Sequence, residues 1–587
     1  MRSARLALVL ACLTAVPAAA AVSKAPLPQP VEVGTGGAVA TVDPYASRAA
    51  LGVLRNGGNA VDAAVAGLAA LGVVEPYSIG IGGGGFMVIR TAKGKVVTID
   101  GRETAPATMK PDSFIDPSTG KAYPFDTLVT SGLGVGVPGA LRAWDQAIRT
   151  YGKRTFKTLL KPAIKLARDG FVVDETLSQQ TADNQARFAD FPATAAIYLP
   201  GGAPPAPGST LTNADLAATL QTIADNGADA FYTGPIAADI AATVQNPPVR
   251  AGATRTVLKG GMTAEDVAGY VSLAREPTKV SYRGLDVYGM GPPSSGGSTV
   301  GEALNILSAL APSATDREAA MHAYLEASAL AYADRNAYLG DPAFAPVPLC
   351  GLLAAPFADA RRATITGSSP ARPLAAGDPA PFNGGCGTTP AASRAAEREG
   401  LNTTHLTVAD KAGNVVVATF TIEQTGGSGI VVPGRGFLLN NELTDFDTAP
   451  DRANSPAAGK RPRSSIAPTI VVRNGRPWLA LGSPGGASII TTVLQTLVER
   501  IDLGRSLPQA IEAPRVSDRN SATGAEAEPA FLALGLRTKL EARGHTFVAV
   551  KGGELGAATG IEFLSGGRLQ AVAEARRRGG GSAMALP

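Results

Sequence analysis

The stretch LNTTHLTVADKAGNVVVATFTIEQTGGSG, residues 401–429, constrains the fold more than any other. Asp410 and Asn414 flank a three-residue loop, Lys411-Ala412-Gly413. Gly413 can take the left-handed backbone that the last position of such a loop needs. Without a bulge, partners across the hairpin have residue numbers summing to a constant, so His405 faces Thr419 and Thr403 faces Thr421. One face then carries Thr403, His405, Thr407, Val417, Thr419 and Thr421; the other carries Leu406, Val408, Val416, Ala418 and Phe420. The expectation is a half-buried sheet with a dry face and a hydroxyl-rich face. A lone Thr pair is ordinarily good strand surface, so the hairpin alone assigns no chemistry.

The chain opens with Arg2 and Arg5, an apolar run, and small residues around Ala19 to Ala21. That pattern predicts a signal peptide over residues 1–21, removed on export to the periplasm or medium. Simple secretion is preferred to a lipoprotein cleavage box at Cys12, because the apolar stretch before it is short. Two cysteines remain beyond it, Cys350 and Cys386. In an oxidising compartment they either pair or stay as separate buried thiols. A net charge of +4 gives no reason to expect nucleic-acid or membrane partners. No later run is long and apolar enough to span a bilayer. The three histidines, His322, His405 and His545, are far apart in sequence, so no metal is implied.

Ala38 to Val42 reads as a strand; Pro44 to Leu54 and Ala60 to Leu71 have helical spacing. The glycine run Gly80 to Gly85 leads into the strand-like Phe86-Met87-Val88-Ile89, whereas a dinucleotide loop must open a helix. It is therefore read as a tight structural turn. Val96 to Asp100 is a further strand that delivers Arg102, placed to fork onto a carboxylate. Leu133 to Ala143, Thr155 to Gly170 and Ala319 to Leu339 look helical, and a Gly/Ser loop from Gly289 runs into another helix. That loop is given a structural role before an anion-binding one. Residues 367–400 are rich in Pro, Gly, Ala and Ser and read as an exposed, mobile tail. Asn474-Gly475 signals a second hairpin. Pairing outward sets Val471 against Trp478 and Ile470 against Leu479, and brings Ser464 and Ser465 opposite Gly485 and Pro484. Gly485 and Gly486 then open a helix over Ser488 to Ile501, where free backbone amides can meet developing negative charge.

Five segments together resemble the γ-glutamyltransferases, members of the N-terminal-nucleophile hydrolases: residues 100–106, 402–429, 438–446, 460–465 and 482–486. The resemblance implies an α+β fold, a four-layer αββα sandwich. It also implies a precursor that cuts itself between Asn402 and Thr403 into a large subunit (22–402) and a small one (403–587), which stay together as a heterodimer. Thr403 would then hold the nucleophilic hydroxyl and, in its freed α-amine, the base that a weak hydroxyl nucleophile requires. Thr421 would hold that amine, and Gly485 and Gly486 would form the oxyanion hole. Arg102, Ser464 and Ser465 would bind the α-carboxylate of a γ-glutamyl donor such as glutathione. Glu423, Glu442 and Asp445 would bind its α-ammonium. Water, an amino acid or a peptide would accept the group, with no cofactor. Two departures stand out: Gly426 replaces an aromatic of the family, and the interval from Asp445 to Ser464 is short for a member with a lid loop. The alternatives are a glutaryl-type β-lactam acylase on the same scaffold, whose substrate would leave the three carboxylates without a partner, and a non-catalytic binding protein.

Overall fold

The structure, a computed structural model, describes residues 29–384, 386 and 402–587. The expected signal peptide, the Cys12 alternative and the later part of the predicted tail (385 and 387–400) lie outside the described residues.

Two seven-stranded sheets stack face to face. The hairpin is at the centre of one of them, as strands Thr404–Asp410 and Val415–Thr421. Its register is the expected one: Thr404 pairs with Phe420, His405 with Thr419 and Leu406 with Ala418. Gly413 has φ +91, and the Asp410 carboxylate accepts from the amides of Ala412 and Asn414. Strand Gly37–Thr41 pairs with one side of the hairpin and strand Gly84–Arg90 with the other. Beyond them lie Ser582–Leu586 at one end and Val96–Gly101 and Leu273–Arg275 at the other.

Helices Pro44–Arg55 and Ala60–Val74 cover the outer face of this sheet. The second begins with a capping box between Asn59 and Asp62, and the Ala60 amide donates to Asp410 Oδ2 at 3.0 Å, tying helix to hairpin. Its small residues let it close on the sheet: a Cβ on Gly67 would lie 3.2 Å from Leu406 Cδ2. Strands Leu285–Gly289, Thr469–Arg473, Arg476–Gly482 and Thr559–Phe563 belong to the other sheet, covered by helices Gly296–Leu310, Arg317–Tyr338 and Ser488–Ile501. The fold is the α+β, four-layer αββα sandwich.

The layering corrects the half-buried reading of the hairpin. Every residue of both strands is buried. The Leu406, Val408 and Phe420 face packs on helices, and Val417 joins the core between the sheets. The hydroxyls are satisfied inside: His405 Nδ1 lies 2.6 Å from Thr419 Oγ1 and Nε2 lies 3.1 Å from Thr407 Oγ1. Burial pushes the imidazole down to about 3, so it is neutral at physiological pH.

The second hairpin is shifted by one residue from the expected register. Val471 pairs with Leu479 and Ile470 with Ala480, because a bulge falls between Val471 and Val472. The helix expected from Leu133 begins only at Ala140; Gly134, Gly136, Pro138 and Gly139 keep the preceding segment irregular, with a single 3₁₀ turn at Gly132–Gly134. The predicted helix from Thr155 is two, Phe156–Leu159 and Lys161–Asp169. Cys350 and Cys386 form a disulfide with Cα atoms 6.1 Å apart, which decides between the two readings of the thiols. His322 and His545 are not far apart: Nδ1 of the first and Nε2 of the second are 2.8 Å apart, with Glu326 beside them. Arg372 occupies that carboxylate at 2.8 Å. Among the described residues, no helix is long and apolar enough to cross a membrane.

Candidate active site

One cavity is lined by Arg102, Thr403, Thr421, Glu423, Glu442, Asp445, Ser464, Ser465 and Gly486. Of the residues singled out from sequence, only Gly485 lies outside its wall. It lines an adjoining groove instead, so the two glycines stand between two spaces.

The hairpin brings Thr403 and Thr421 together, their hydroxyl oxygens 3.4 Å apart. The chain is continuous through Asn402, whose carbonyl oxygen accepts from Thr403 Oγ1 at 2.7 Å and from Thr421 Oγ1 at 2.8 Å. The glycine run 82–85 makes this approach possible. A Cβ on Gly83 would lie 2.1 Å from the Thr421 carbonyl oxygen and one on Gly85 2.3 Å from that of Thr419. The run is a close-packing device, in keeping with its reading as structure rather than a cofactor loop.

Strand Val96–Gly101 ends at Arg102, which is fully buried. Its guanidinium pairs with Glu442 and Asp445 and donates to the carbonyls of Pro462 (3.2 Å) and Arg463 (3.0 Å). Burial alone would lower its pKa, but Glu442, Asp445 and Glu103 hold it above the ordinary value. Asn440 fixes the turn carrying Glu442: its Oδ1 accepts from Glu442 N at 3.0 Å and from Gly136 N at 2.9 Å, and its Nδ2 donates to the carbonyls of Gly82 and Gly136. Glu423 sits at φ +80; its amide donates to Thr421 Oγ1 at 2.8 Å and its carboxylate accepts from Asn441 and Gln424. Burial, then Asp445 and Glu442, push the Glu423 carboxyl well up. Glu103, buried with neither carboxyl oxygen hydrogen-bonded among the described residues, is raised likewise. The pocket therefore holds more carboxyl groups than its guanidinium neutralises, and a bound ammonium would favour their ionised forms.

Ser465 Oγ accepts from Arg335 NH2 at 2.7 Å, and Arg335 Nε also reaches Ser295 Oγ at 2.9 Å. Ser295 in turn donates through both its amide and its hydroxyl to the Ser464 carbonyl, each at 2.7 Å. The Gly/Ser loop thus backs the two serines, in the structural role given to it. Gly485 (φ +133) and Gly486 (φ +55) form the turn into helix Ser488–Ile501, and among the described residues neither amide donates a hydrogen bond. That leaves two N–H groups for an anion.

Two features escaped the sequence reading. Arg578 donates from NH1 to the Thr403 carbonyl at 2.7 Å and from NH2 to Asn402 Oδ1. It lies 175 residues beyond Thr403, and no local pattern marks it. The room left by the aromatic missing at Gly426 is filled from another helix: a Cβ there would meet Phe188 Cζ at 2.6 Å. Arg187 stacks on that ring and donates to the carbonyls of Thr425 and Gly427. The short 446–463 segment is tied down by Asn454, which donates to the Asp445 carbonyl at 2.7 Å and accepts from Arg463 N at 2.8 Å.

The family model described as "Gamma-glutamyltranspeptidase" matches residues 46–584. The chain is 42% identical over 522 residues to a glutathione hydrolase proenzyme of Bacillus subtilis (strain 168), covering 88% of this chain and 86% of that protein. To the glutathione hydrolase proenzyme of Escherichia coli (strain K12) it is 39% identical over 499 residues, covering 82% and 80%. Among solved structures it is similar to the cephalosporin acylase from Bacillus halodurans, with a TM-score of 0.83 and 29% identity, covering 97% of this chain and 100% of that one.

Proposed function

The chain belongs to the gamma-glutamyltranspeptidase family, and from that premise we propose how its pocket serves a γ-glutamyltransferase and glutathione hydrolase. The precursor cuts itself between Asn402 and Thr403 into a large subunit, 22–402, and a small one, 403–587, and acts after export to the periplasm or medium. Thr403 Oγ attacks the γ-carbonyl of glutathione or a similar γ-glutamyl amide, and its own freed α-amine, held by Thr421, takes the proton. The amides of Gly485 and Gly486 receive the developing oxyanion. The leaving amine departs with the proton. Water, an amino acid or a peptide then attacks the ester carbonyl and frees Thr403. Every group this chemistry asks for is supplied by the chain: nucleophile, base and oxyanion donors.

The observation that carries the reading is the charge content of the pocket beside Thr403: one guanidinium and two serine hydroxyls for a carboxylate, and for an ammonium the buried carboxyls of Glu423 and Glu442 with the half-buried Asp445 beside them. A donor that meets both ends rejects an analogue lacking one, because the orphaned groups stay desolvated. The likeness to a cephalosporin acylase motivates the second reading, a glutaryl-type acylase. A γ-glutamyl anilide and the glutaryl anilide without the amine separate the two. The first is expected to turn over at least ~100-fold better in kcat/KM, a loss of roughly 3 kcal/mol for the analogue. Comparable rates would overturn the γ-glutamyl reading in favour of the acylase.

A further inference from the structure

The side chain of Asn402 is held as firmly as the bond that follows it. Its Oδ1 accepts from Ser78 Oγ at 2.9 Å and from Arg578; its Nδ2 donates to the Tyr77 carbonyl at 3.2 Å and to Thr425 Oγ1 at 3.3 Å. Ser78 Oγ also lies 3.0 Å from Glu75 Oε2. Glu75 caps the C-terminus of helix Ala60–Val74, and Ser78 follows in the turn. Neither lines the cavity beside Thr403. A serine hydroxyl carries one proton, so it cannot donate to Glu75 and Asn402 at once. If Glu75 is protonated, it donates to Ser78 and Ser78 donates to Asn402. If Glu75 is ionised, it accepts the hydrogen bond from the Ser78 hydroxyl, and Asn402 Oδ1 loses that donor.

We propose that Glu75 and Ser78 are positioning residues for self-cleavage: with Arg578 they clamp the Asn402 side chain and so fix the Asn402–Thr403 peptide for attack by Thr403 Oγ. The inference rests on the proposed cut at that peptide. In the step, the Thr403 Oγ–Asn402 C bond forms and the Asn402 C–Thr403 N bond breaks. The hydroxyl proton ends on the departing nitrogen, which becomes the α-amine. Water then hydrolyses the ester, giving the Asn402 carboxylate and the Thr403 hydroxyl. Thr421 donates to the carbonyl oxygen, whereas the clamp holds the side-chain amide, joined to the carbonyl carbon through Cα and Cβ, and sets the angle at which Thr403 Oγ approaches.

The clamp is pH-sensitive by construction. Burial raises Glu75 to about 7; Arg578 opposes the shift and Asp174 adds to it. Asp43, which caps helix Pro44–Arg55, faces the same group and is itself raised to about 8 by burial and by Glu75. Asp174 caps helix Glu175–Phe188 and is also raised by burial. Arg578 is flanked by Glu554, which accepts its backbone amide at 3.0 Å. Glu75 is thus protonated below about 7 and ionised above, so the Ser78 bond to Asn402 weakens as pH rises.

The test follows cleavage of the full-length precursor on denaturing gels across pH 6 to 8.5, alongside anilide turnover per cut molecule. Ser78→Ala and Glu75→Ala are expected to cleave about tenfold more slowly or worse. Glu75→Gln, which keeps a neutral donor, is expected to cleave near the wild-type rate and to lose the alkaline decline. Once cut, each variant is expected to match wild-type turnover, because Asn402 is then no longer joined to Thr403; this also shows that the variants fold. Wild-type cleavage rates in Ser78→Ala and Glu75→Ala would overturn the inference alone. So would a Glu75→Gln rate as low as that of Glu75→Ala. A wild-type small fragment that begins elsewhere than Thr403 would overturn the cleavage site itself, and the inference with it.

Discussion

Replacing Thr421 by Val removes one hydroxyl and almost no volume, so its effect can be worked from hydrogen bonds. That hydroxyl donates to the Asn402 carbonyl oxygen at 2.8 Å, the atom that becomes an oxyanion in the proposed attack by Thr403. Removing one such preorganised donor costs about 2.7–4 kcal/mol of barrier, or roughly 10²–10³ in rate. Thr421 Oγ1 itself accepts from Glu423 N at 2.8 Å. Val leaves that buried amide without its acceptor, at a cost of about 1–3 kcal/mol in stability. Thr421→Val is therefore expected to cleave about 100-fold more slowly and to melt a few degrees lower, whereas Thr421→Ser should recover both. The assay is a time course of precursor loss on a denaturing gel, with the N-terminus of the small fragment sequenced and a thermal melt run in parallel. Cleavage of Thr421→Val within about threefold of wild type would refute the reasoning, because a shift that small corresponds to less than 1 kcal/mol and excludes donation to the scissile carbonyl.

Thr403→Ala should remain a single full-length chain, and a fragment beginning at Thr404 or elsewhere in that variant would show another nucleophile. Arg102→Ala should lose turnover of both anilides, since each presents a carboxylate there, whereas Asp445→Ala should hurt the glutamyl substrate most and shrink the preference; a steady-state comparison on both substrates reads the difference. Gly482→Ala should be destabilised by about 1–3 kcal/mol or more, because overpacking a filled core costs that much and its Cβ would lie 2.3 Å from His405 Cε1; a thermal melt measures it. Removing both Cys350 and Cys386, which close a loop spanning 36 residues, should cost about 3–4 kcal/mol on the chain-entropy account, read as a lower melting temperature.

The central hairpin was legible because a short turn and a strict two-residue period leave one register, and the family motifs then lay on its ends. The second hairpin was legible as an element but misaligned by one residue, since nothing in TIVVRNGRPWLALG marks the bulge between Val471 and Val472. Burial of the hydroxyl face was not legible: a strand's alternation shows two faces, not how many layers cover them. Contacts between distant segments were hidden for the same reason. Phe188 filling the space at Gly426, Arg335 holding Ser465, and the His322–His545 pair join segments with no shared local pattern. The pocket residues were recoverable because their chemistry is local to five short motifs. The Glu75–Ser78–Asn402–Arg578 clamp was not, because its parts come from three remote stretches of chain.

The strand order of the central sheet has a consequence for the proposed cut between Asn402 and Thr403. Reading across it, Ser582–Leu586 is followed by Gly37–Thr41, then the hairpin 404–421, then Gly84–Arg90 and Val96–Gly101. After cleavage the pieces alternate like fingers of two clasped hands, and neither owns a contiguous sheet. Dilution therefore cannot part them, because separation requires rupturing ladders on both sides of the hairpin, which amounts to unfolding. Mixing two preparations whose small pieces carry different isotopes should leave every molecule with its original mate until the melting temperature is reached.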